Sequence, residues 1–454
     1  MLSRQSLQIS QLEQWIRKEG LVSAKDAARA LSISQASFSR AIKTIKNLLR
    51  FGNARSSRYT ISRLVAELPS EIPIYQIDAA GKSLPIGTLY PTEPKPNFVL
   101  QKHSDLKDIQ IFKGLPYFID TLKIAGFLGR FAMPTLFQGK LAPPRMEDWS
   151  DEYHLHYLLT QGWDRPGNLI LGNSALDRFR EVQQHGHIRI EENKRKEFYP
   201  KVVANIGEYG NVGSSAGGEQ PKFAITLETS KGLRFLIVKY CTNDSAEGER
   251  ARDMLIAEHL ALETLRKNEI PCSISHIFEI GKACFLEIER FDRIGDWGRV
   301  GYSTIGALNA ELVGASASNW SDMAEGLYRE KLISPSDFMK VLKLDSFGSL
   351  IANTDRHMGN LSFFFNDLKI GQLTPVYDML PMAYMPRNGQ IFTPQPKFSP
   401  PSAGREDAWL WAYPLALEYW DRLSKENRIS SEFRKISTLS LTALKTLRES
   451  LILE

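Results

Sequence analysis

Residues 1–61 carry apolar positions at helical spacing followed by an alternating stretch, a pattern that predicts three short helices and a hairpin. Ser23 lies three residues before Asp26, an approximate capping box that starts the second helix. Ser34 caps a third helix over residues 35–48, and residues 49–61 form two strands around a basic turn. The predicted inward-facing residues are Leu12, Trp15, Ile16, Ala27, Ala28, Leu31, Phe38, Ile42 and Ile45. This arrangement is typical of a winged helix-turn-helix.

Beyond a proline-containing linker at residues 69–73, the pattern changes to short strands and then to longer mixed elements. The predicted elements are strands at 74–77, 85–90 and 97–100, a helical stretch at 152–159, strands at 223–227 and 234–240, a helix at 247–265, a strand with an extended end at 283–292, and a hairpin at 361–365 and 370–373. We therefore expect an α+β fold in four regions: the winged helix-turn-helix at 1–68, an accessory α+β subdomain at 74–200, a sheet region at 201–292 and a mainly helical region at 293–454.

The composition is that of a globular protein, with 43% hydrophobic and 24% charged residues among 454. No run of 18 apolar residues and no apolar N-terminal core appear, so we expect a cytoplasmic location without a membrane partner. The three cysteines include no Cys-x-x-Cys pair, which argues against a zinc site and a disulfide framework. His154 and His156 are predicted to be surface residues rather than metal ligands.

The basic character is concentrated at the N-terminus. Residues 1–68 carry 12 Lys and Arg against 4 Asp and Glu, whereas the remainder carries 45 against 48. A basic third helix and hairpin turn fit the major groove and phosphates of DNA. The predicted DNA contacts are Gln35, Ser37, Arg40, Lys43, Arg55 and Arg58. A small helical domain with a solvated basic face, or a dimerisation module, remains open.

A loop, hairpin and second loop hold the strongest candidate chemistry. Asp355 and Asn360 precede the hairpin, and Asp378 follows it, so the three side chains are expected to converge. Protein kinases use an Asp as base, an Asn five residues on for Mg²⁺, and an Asp after the next hairpin for the metals. Asp and Asn are also ordinary turn formers, which is the alternative.

Upstream elements follow in kinase order. Gly207, Gly210 and Gly213 lead into a loop over 214–222, whose glycines and Lys222 suit phosphate, although Gly-rich loops are common. Lys239 ends an apolar strand, in the position of a phosphate-contacting lysine.

The predicted helix at 247–265 contributes a carboxylate. Glu258 shares a face with Met254 and Leu265, so it needs a partner, for which Lys239 is available, unless it lies at the edge of the stripe and reaches water.

The strand at 283–292 ends where a kinase hinge offers backbone groups to adenine. Phe291 is then a candidate for lining the adenine pocket. A plain sheet strand is the alternative.

Together these motifs resemble the HipA family of bacterial serine/threonine kinases, toxins of type II toxin–antitoxin pairs. The resemblance rests on residues 215–222, 238–239, 289–293, 353–360 and 377–381. It implies a HipA-like protein-kinase fold, ATP and Mg²⁺ as cofactors, a protein substrate, and a HipB-like antitoxin as a possible partner. The catalytic set implied is Asp355, Asn360, Asp378 and Lys239, with Asn360 and Asp378 holding metal. The nucleotide-binding set implied is Ser215, Ala216, Gly217, Gly218, Gln220, Lys222, Lys239, Glu258, Glu289, Arg290, Phe291 and His357.

Two further expectations follow from the resemblance. Ser215 matches the autophosphorylated serine of the family's Gly-rich loop, or it is only a small residue that tolerates a tight turn. The DNA-binding domain is normally a separate antitoxin in this family, so its fusion here puts a separate antitoxin in doubt. Two other functions remain open: a small-molecule kinase, and a DNA-bound regulator whose kinase fold only senses nucleotide.

Overall fold

The fold is given by a computed structural model. It describes residues 4–53, 56–65, 68–104, 108–124, 127, 143, 145–186, 188–209, 220–314, 316–317, 319–367, 369–387 and 389–453. Apart from the stretch around Phe127, residues up to His185 form one compact unit and those from Gly186 form a second. Within these ranges no helix has the length and apolar character needed to cross a bilayer.

The first unit begins with three helices and a three-stranded sheet. In chain order the elements are α1 (Arg4–Glu19), β1 (Val22–Ser23), α2 (Ala24–Leu31), α3 (Gln35–Ala41), β2 (Leu48–Phe51) and β3 (Arg58–Ile61). The strands are ordered β1-β3-β2, all antiparallel. The Ser23 and Ser34 side chains accept the backbone N–H groups of Asp26 and Ser37, as the predicted caps require. Leu12, Ile16, Phe38, Ile45 and Ile61 form the shared core.

The predicted length of the third helix was wrong. The α-helix ends at Ala41 instead of continuing to residue 48, and turns occupy the positions before β2. Asn47 has a left-handed backbone, φ 58°, which helices do not continue through but asparagine tolerates. Lys43 therefore lies beyond α3 rather than on it.

The β2–β3 hairpin contacts the next part of the chain. We call this contact, between residues 51 and 60–63 on one side and residues 90–93 on the other, the hairpin seam. Arg63 N donates to Pro91 O and Glu93 N donates to Ile61 O, both at 2.9 Å. The Phe51 and Tyr90 rings meet edge to face with centroids 5.2 Å apart. The three helices and their sheet are thus joined to the rest of the first unit by ladder-type bonds.

The remainder of the first unit is a five-stranded antiparallel sheet with helices. The strands are β4 (Ile72–Ile77), β5 (Ser83–Pro91), β6 (Asn97–Lys102), β7 (Ile109–Lys113) and β8 (Leu169–Leu171), ordered β7-β6-β5-β4-β8, and the helices are α4 (Tyr117–Asp120), α5 (Asp151–Gln161) and α6 (Asn173–His185). His154 is buried against Trp149, with ring centroids 5.4 Å apart, so the predicted surface position was wrong. Burial lowers its pKa to about 4.

The second unit opens with a five-stranded sheet and one long helix. Its elements are β9 (Arg189–Glu191), α7 (Arg195–Tyr209), β10 (Lys222–Thr229), β11 (Gly232–Thr242), α8 (Ala246–Lys267), β12 (Ser275–Ile280) and β13 (Ala283–Glu289), with strands ordered β12-β13-β11-β10-β9. The strand β9 runs parallel to β10, and Tyr199 of α7 is buried in the core of this sheet. Strand β9 and the first residues of α7 precede residue 201, where the sequence division begins the sheet region.

The C-terminal part is mainly helical, with small sheets. Its elements are β14 (Arg293–Ile294), β15 (Gly298–Arg299), β16 (Gly301–Thr304), α9 (Ile305–Leu308), a π-helix (Asn309–Val313), α10 (Trp320–Arg329), α11 (Pro335–Leu350), β17 (Ser362–Asn366), β18 (Lys369–Leu373), α12 (Glu406–Lys425) and α13 (Ser431–Leu453). Trp420 of α12 is fully buried, and its indole N–H donates to Leu350 O at 3.0 Å. Asp253 of α8 accepts from the backbone and hydroxyl of Ser430, which fixes the start of α13.

Candidate active site

A buried ammonium group joins two carboxylates at the centre of the second unit. Lys239 Nζ donates to Glu258 Oε1 and Oε2 at 2.8 and 2.7 Å, and also to Asp378. Lys239 is 4% exposed and Glu258 fully buried. The ion pair predicted from the apolar stripe of the helix is therefore present. Lys222 lies directly opposite Lys239 in the β10–β11 register, which brings a second cation to this side of the sheet.

The charged groups of this cluster shift one another's pKa values. Burial favours a higher pKa for Asp378, but Lys239 and Lys222 outweigh it and hold the pKa at about 2. Burial by itself lowers the pKa of Lys239, and Asp378 with Glu258 reverses this effect, so the pKa is raised. Burial raises the pKa of Glu258, and Lys239 opposes the rise. Asp378 is thus ionised and Lys239 charged at neutral pH.

Asp355 lies in the loop after α11, where two asparagine side chains form hydrogen bonds with its backbone. Asp355 N donates to Asn353 Oδ1, and Asn360 Nδ2 donates to Asp355 O, both at 3.0 Å. Asn353 is fully buried, and its Nδ2 also reaches Asp378 O at 3.5 Å. The two predicted loops are therefore tied together by one side chain. Partial burial raises the pKa of Asp355, His357 lowers it and the charge of Asp378 raises it.

The hairpin between these two loops, and the residues that follow it, determine the position of Asp378. Ser362–Asn366 pairs with Lys369–Leu373, as predicted. Val376, which follows the hairpin, makes two backbone hydrogen bonds to the segment before β12. Its N–H donates to Pro271 O at 2.9 Å, and its carbonyl accepts from Ser273 N at 3.0 Å. The hydroxyl of Tyr377 donates to Gly359 O at 3.0 Å. Asp378 itself has a left-handed backbone, φ 53°, so its carboxylate turns out of the strand direction toward Lys239.

An aromatic cluster lies where the sequence predicted a hinge. The ring of Phe291 has its centroid 5.1 Å from Tyr302, 5.8 Å from Phe364 and 5.9 Å from Tyr377. Tyr377 adjoins Asp378, so this cluster is continuous with the charged site. Two other predicted nucleotide contacts are engaged elsewhere, because Glu289 pairs with Arg234 and Arg290 with Asp292.

Part of the predicted set falls outside the described residues: Ser215, Ala216, Gly217, Gly218 and Arg55. Gln220 is partly buried, two residues before β10. His357 is exposed, and its Nδ1 accepts from Gly359 N at 2.8 Å. In the first unit Gln35, Arg40 and Lys43 are exposed, Ser37 bonds with Ser34, and Arg58 pairs with Asp26 at 3.6 Å.

Four further side chains near these loops carried no prediction of their own from the sequence. Arg356 pairs with Asp345 of α11 at 2.8 Å, and the Trp320 indole donates to His357 O at 2.9 Å. Arg387 contributes a positive charge near Asp355. Asn353 had a usable signal, since an Asn two residues before the Asp can accept the N–H of that Asp. Trp320 and Arg387 lie far along the chain from the residues they influence, so no local pattern indicated them.

The class of protein emerges from comparison of this fold with known ones. A chain of the Shewanella oneidensis MR-1 toxin–antitoxin complex of HipA, HipB and operator DNA aligns with TM-score 0.51 and 15% identity, over 83% of this chain and 99% of that one. The Helicobacter pylori proinflammatory kinase CtkA aligns with TM-score 0.36 and 14% identity, over 51% and 92%. Residues 214–437 match the HipA-like C-terminal domain, so the second unit has the HipA-like fold.

The particular kind of HipA-like protein is shown by two further matches. Residues 68–180 match the middle domain of YjjJ-like toxins. Toxin YjjJ of Escherichia coli (strain K12) is 31% identical over 424 residues, which is 92% of this chain and 94% of that protein. The chain therefore belongs to the HipA family, among its YjjJ-type toxins.

Proposed function

We propose that the protein is an ATP- and Mg²⁺-dependent serine/threonine protein kinase with a fused DNA-binding domain. The observation that carries the proposal is the contact of Lys239 with both Glu258 and Asp378 beside the Asp355 loop. A kinase needs a charged lysine positioned by a glutamate on the phosphates, and an ionised aspartate for the metal. The raised pKa of Lys239 and the low pKa of Asp378 supply those protonation states.

The transfer assigns one role to each loop. The hydroxyl oxygen of the acceptor attacks the γ-phosphorus, the bond to the β,γ-bridging oxygen breaks, and ADP leaves with that electron pair. Asp355 accepts the hydroxyl proton, a role that suits a solvent-accessible carboxylate whose pKa is raised by partial desolvation. Asn353 is a positioning residue, because it holds the backbone of both loops. The aromatic cluster at Phe291 provides a flat apolar surface for adenine.

The donor set at Asp378 fits Mg²⁺. Among the described residues no three His, Cys, Asp or Glu side chains gather into a metal cage. Asp378 offers an ionised carboxylate, and Asn360 turns its amide nitrogen to Asp355 O, which leaves its Oδ1 to face another partner. Mg²⁺ prefers such oxygens together with phosphate and water. A bound Mg²⁺ would neutralise charge on the phosphates, and Asp378 and Asn360 are the side chains that would hold it.

Ser215 is proposed as a site of self-modification. Phosphoserine carries about −1.5 to −2 charges. In a sequence that runs from Ser215 to Lys222 it would compete with the ATP phosphates for Lys222 and Lys239. Modification then switches the kinase off. Mass spectrometry after incubation with Mg²⁺-ATP tests this proposal, and an active preparation without phosphate on Ser214 or Ser215 contradicts it.

Residues 1–68 are proposed to bind DNA. Their net charge of +8 and the exposed Gln35, Arg40 and Lys43 support a phosphate-binding surface. HipB and operator DNA are partners of the Shewanella protein. A HipB-like antitoxin and a protein substrate are proposed partners for this chain. Binding to duplex DNA that weakens with added salt, and that Arg40→Ala reduces, is the expected result.

The central test replaces Asp378 with asparagine. Asparagine tolerates the left-handed backbone at this position, so Asp378→Asn removes the charge without forcing the loop to change. We expect Mg²⁺-dependent ATP binding to weaken at least about tenfold, as for loss of a charge-assisted contact, and transfer to be lost. Asp355→Asn should retain ATP binding and lose transfer. Equal Mg²⁺-ATP affinity in wild type and Asp378→Asn contradicts the metal assignment.

A further inference from the structure

The chain that follows Asp378 has an unusual composition. Residues 379–405, here called the basic segment, contain three cations, Arg387, Lys397 and Arg405, and no Asp or Glu. Six prolines interrupt it. Proline has no N–H group and favours extended backbone, so the segment cannot form a continuous ladder or helix. Its described part from residue 391 to 402 has no regular secondary structure.

The basic segment is nevertheless anchored next to the catalytic loop. Ala383 N donates to Ala352 O at 3.1 Å, three residues before Asp355. Arg387 and Gln390 exchange two backbone hydrogen bonds of 2.9 Å each, around Gly389 with φ 71°. This closed turn fixes the backbone position from which the Arg387 side chain extends.

Its far end is held as well. The Trp409 indole donates to Ser399 O at 3.2 Å, and the Phe398 ring lies 6.4 Å from that of Trp420. Between the two anchors, residues 392–395 are exposed in succession. The segment is therefore an accessible strip without regular secondary structure, and both of its ends are fixed.

Two of its three cations have no acidic partner among the described residues. Arg405 pairs with Glu325 at 2.7 Å, whereas Arg387 and Lys397 are exposed and make no ion pair within that part of the chain. Arg387 acts on Asp355: burial raises the pKa of that carboxyl, and His357 and Arg387 oppose the rise. The bond from Ala383 N to Ala352 O, four residues before Arg387 and three before Asp355, also places Arg387 near the Asp355 loop.

We propose that the basic segment is the docking strip for the acceptor polypeptide, and that Arg387 and Lys397 select an acceptor hydroxyl flanked by Asp or Glu side chains. This inference rests on the proposed kinase function and adds the class of substrate to it. Guanidinium and carboxylate groups form paired hydrogen bonds, which makes Arg387 the more selective of the two cations. The prolines keep the strip from pairing with itself, so an acceptor peptide in an extended conformation can lie along it.

The test uses the full-length protein, Mg²⁺-ATP and a library of serine and threonine peptides randomised around the acceptor. Wild type is expected to select Asp or Glu. For a selected peptide and its Glu→Gln twin, we expect KM to differ about three- to tenfold, the range of an exposed to a partly desolvated ion pair. The difference should shrink with added salt. Arg387→Gln should abolish it, and Arg387→Glu should reverse it in favour of a Lys-flanked twin.

Lys445→Gln is the matched control, because Lys445 is an exposed cation on α13, distant in sequence from the strip. It should keep the wild-type preference, and Mg²⁺-ATP affinity measured on each variant should be unchanged by Arg387→Gln. Transfer without preference for acidic flanks, or a preference that survives in Arg387→Gln and Lys397→Gln, overturns the inference. A protein that binds Mg²⁺-ATP but modifies no peptide also overturns it. A protein that neither binds nor turns over Mg²⁺-ATP contradicts the proposed function itself.

Discussion

Replacing Lys239 with methionine leaves Glu258 and Asp378 facing each other without the cation between them. Glu258 is fully buried, and removing one partner of a buried ion pair costs about 3–5 kcal/mol. Asp378 is 26% exposed in its side chain, so water relieves part of its charge. We therefore expect Lys239→Met to lower the free energy of unfolding of the second unit by about 3 kcal/mol at pH 7.

The same reasoning fixes how the loss depends on pH. Without Lys239, burial and the charge of Asp378 both raise the pKa of Glu258. A carboxyl group with a raised folded-state pKa binds its proton more tightly when folded, so lowering the pH stabilises the variant relative to wild type. The stability difference between wild type and Lys239→Met should therefore be smaller at pH 5 than at pH 7.

Urea unfolding at the two pH values, with hydrogen exchange of β11 and α8 to identify the second unit, measures this loss. Glu258→Gln alone and the double variant complete a double-mutant cycle. The double variant should be more stable than the sum of the single losses predicts, because it buries no unpaired carboxylate at position 258. A loss below about 1 kcal/mol for Lys239→Met, independent of pH, would refute a buried, charged pair.

Three other variants test separate parts of the second unit. The pKa of Asp253 is raised by burial to about 6, above its unfolded value of 3.8, so wild type should lose stability as the pH rises from about 4 to about 6, and Asp253→Asn should remove that loss in melting curves. Phe291→Ala should weaken ATP binding about tenfold by calorimetry, as expected for a lost stacking surface, while Phe291→Tyr should keep it. Asn353→Ala should lower kcat at least about tenfold through loss of two loop hydrogen bonds, with partial rescue by Asn353→Asp, and an unchanged kcat would contradict its positioning role.

The sequence indicated the site better than it indicated the boundaries around it. Glu258 in an apolar stripe required a cation, and the ion pair with Lys239 is present. The hairpin before Asp378 was also predictable, because the apolar run at 361–365 is followed by the turn-forming residues Asn366 and Asp367. The strand β9 was not, since its three residues pair in parallel with a strand over 30 positions later. Helix α7 contains Pro200, a residue that ordinarily indicates a helix end.

The third helix and Arg387 illustrate two further limits. Apolar spacing continues through Ile42 and Ile45, but the backbone turns at Asn47, and propensity alone does not reveal a single left-handed residue. Arg387 lies in a segment without periodicity, and its proximity to the catalytic loop arises from one backbone bond, Ala383 to Ala352. Long-range contacts of this kind leave no local pattern.

The hairpin seam changes what it means to remove the N-terminal domain. Cutting the chain at residue 68 would strip Tyr90 of its ring contact and leave the Glu93 N–H and Pro91 carbonyl without their partners at positions 61 and 63. A truncated protein would therefore expose unpaired backbone groups at this edge, and such an edge favours self-association. Point substitutions of exposed residues such as Arg40 leave this edge paired, so they test the proposed DNA binding without exposing it.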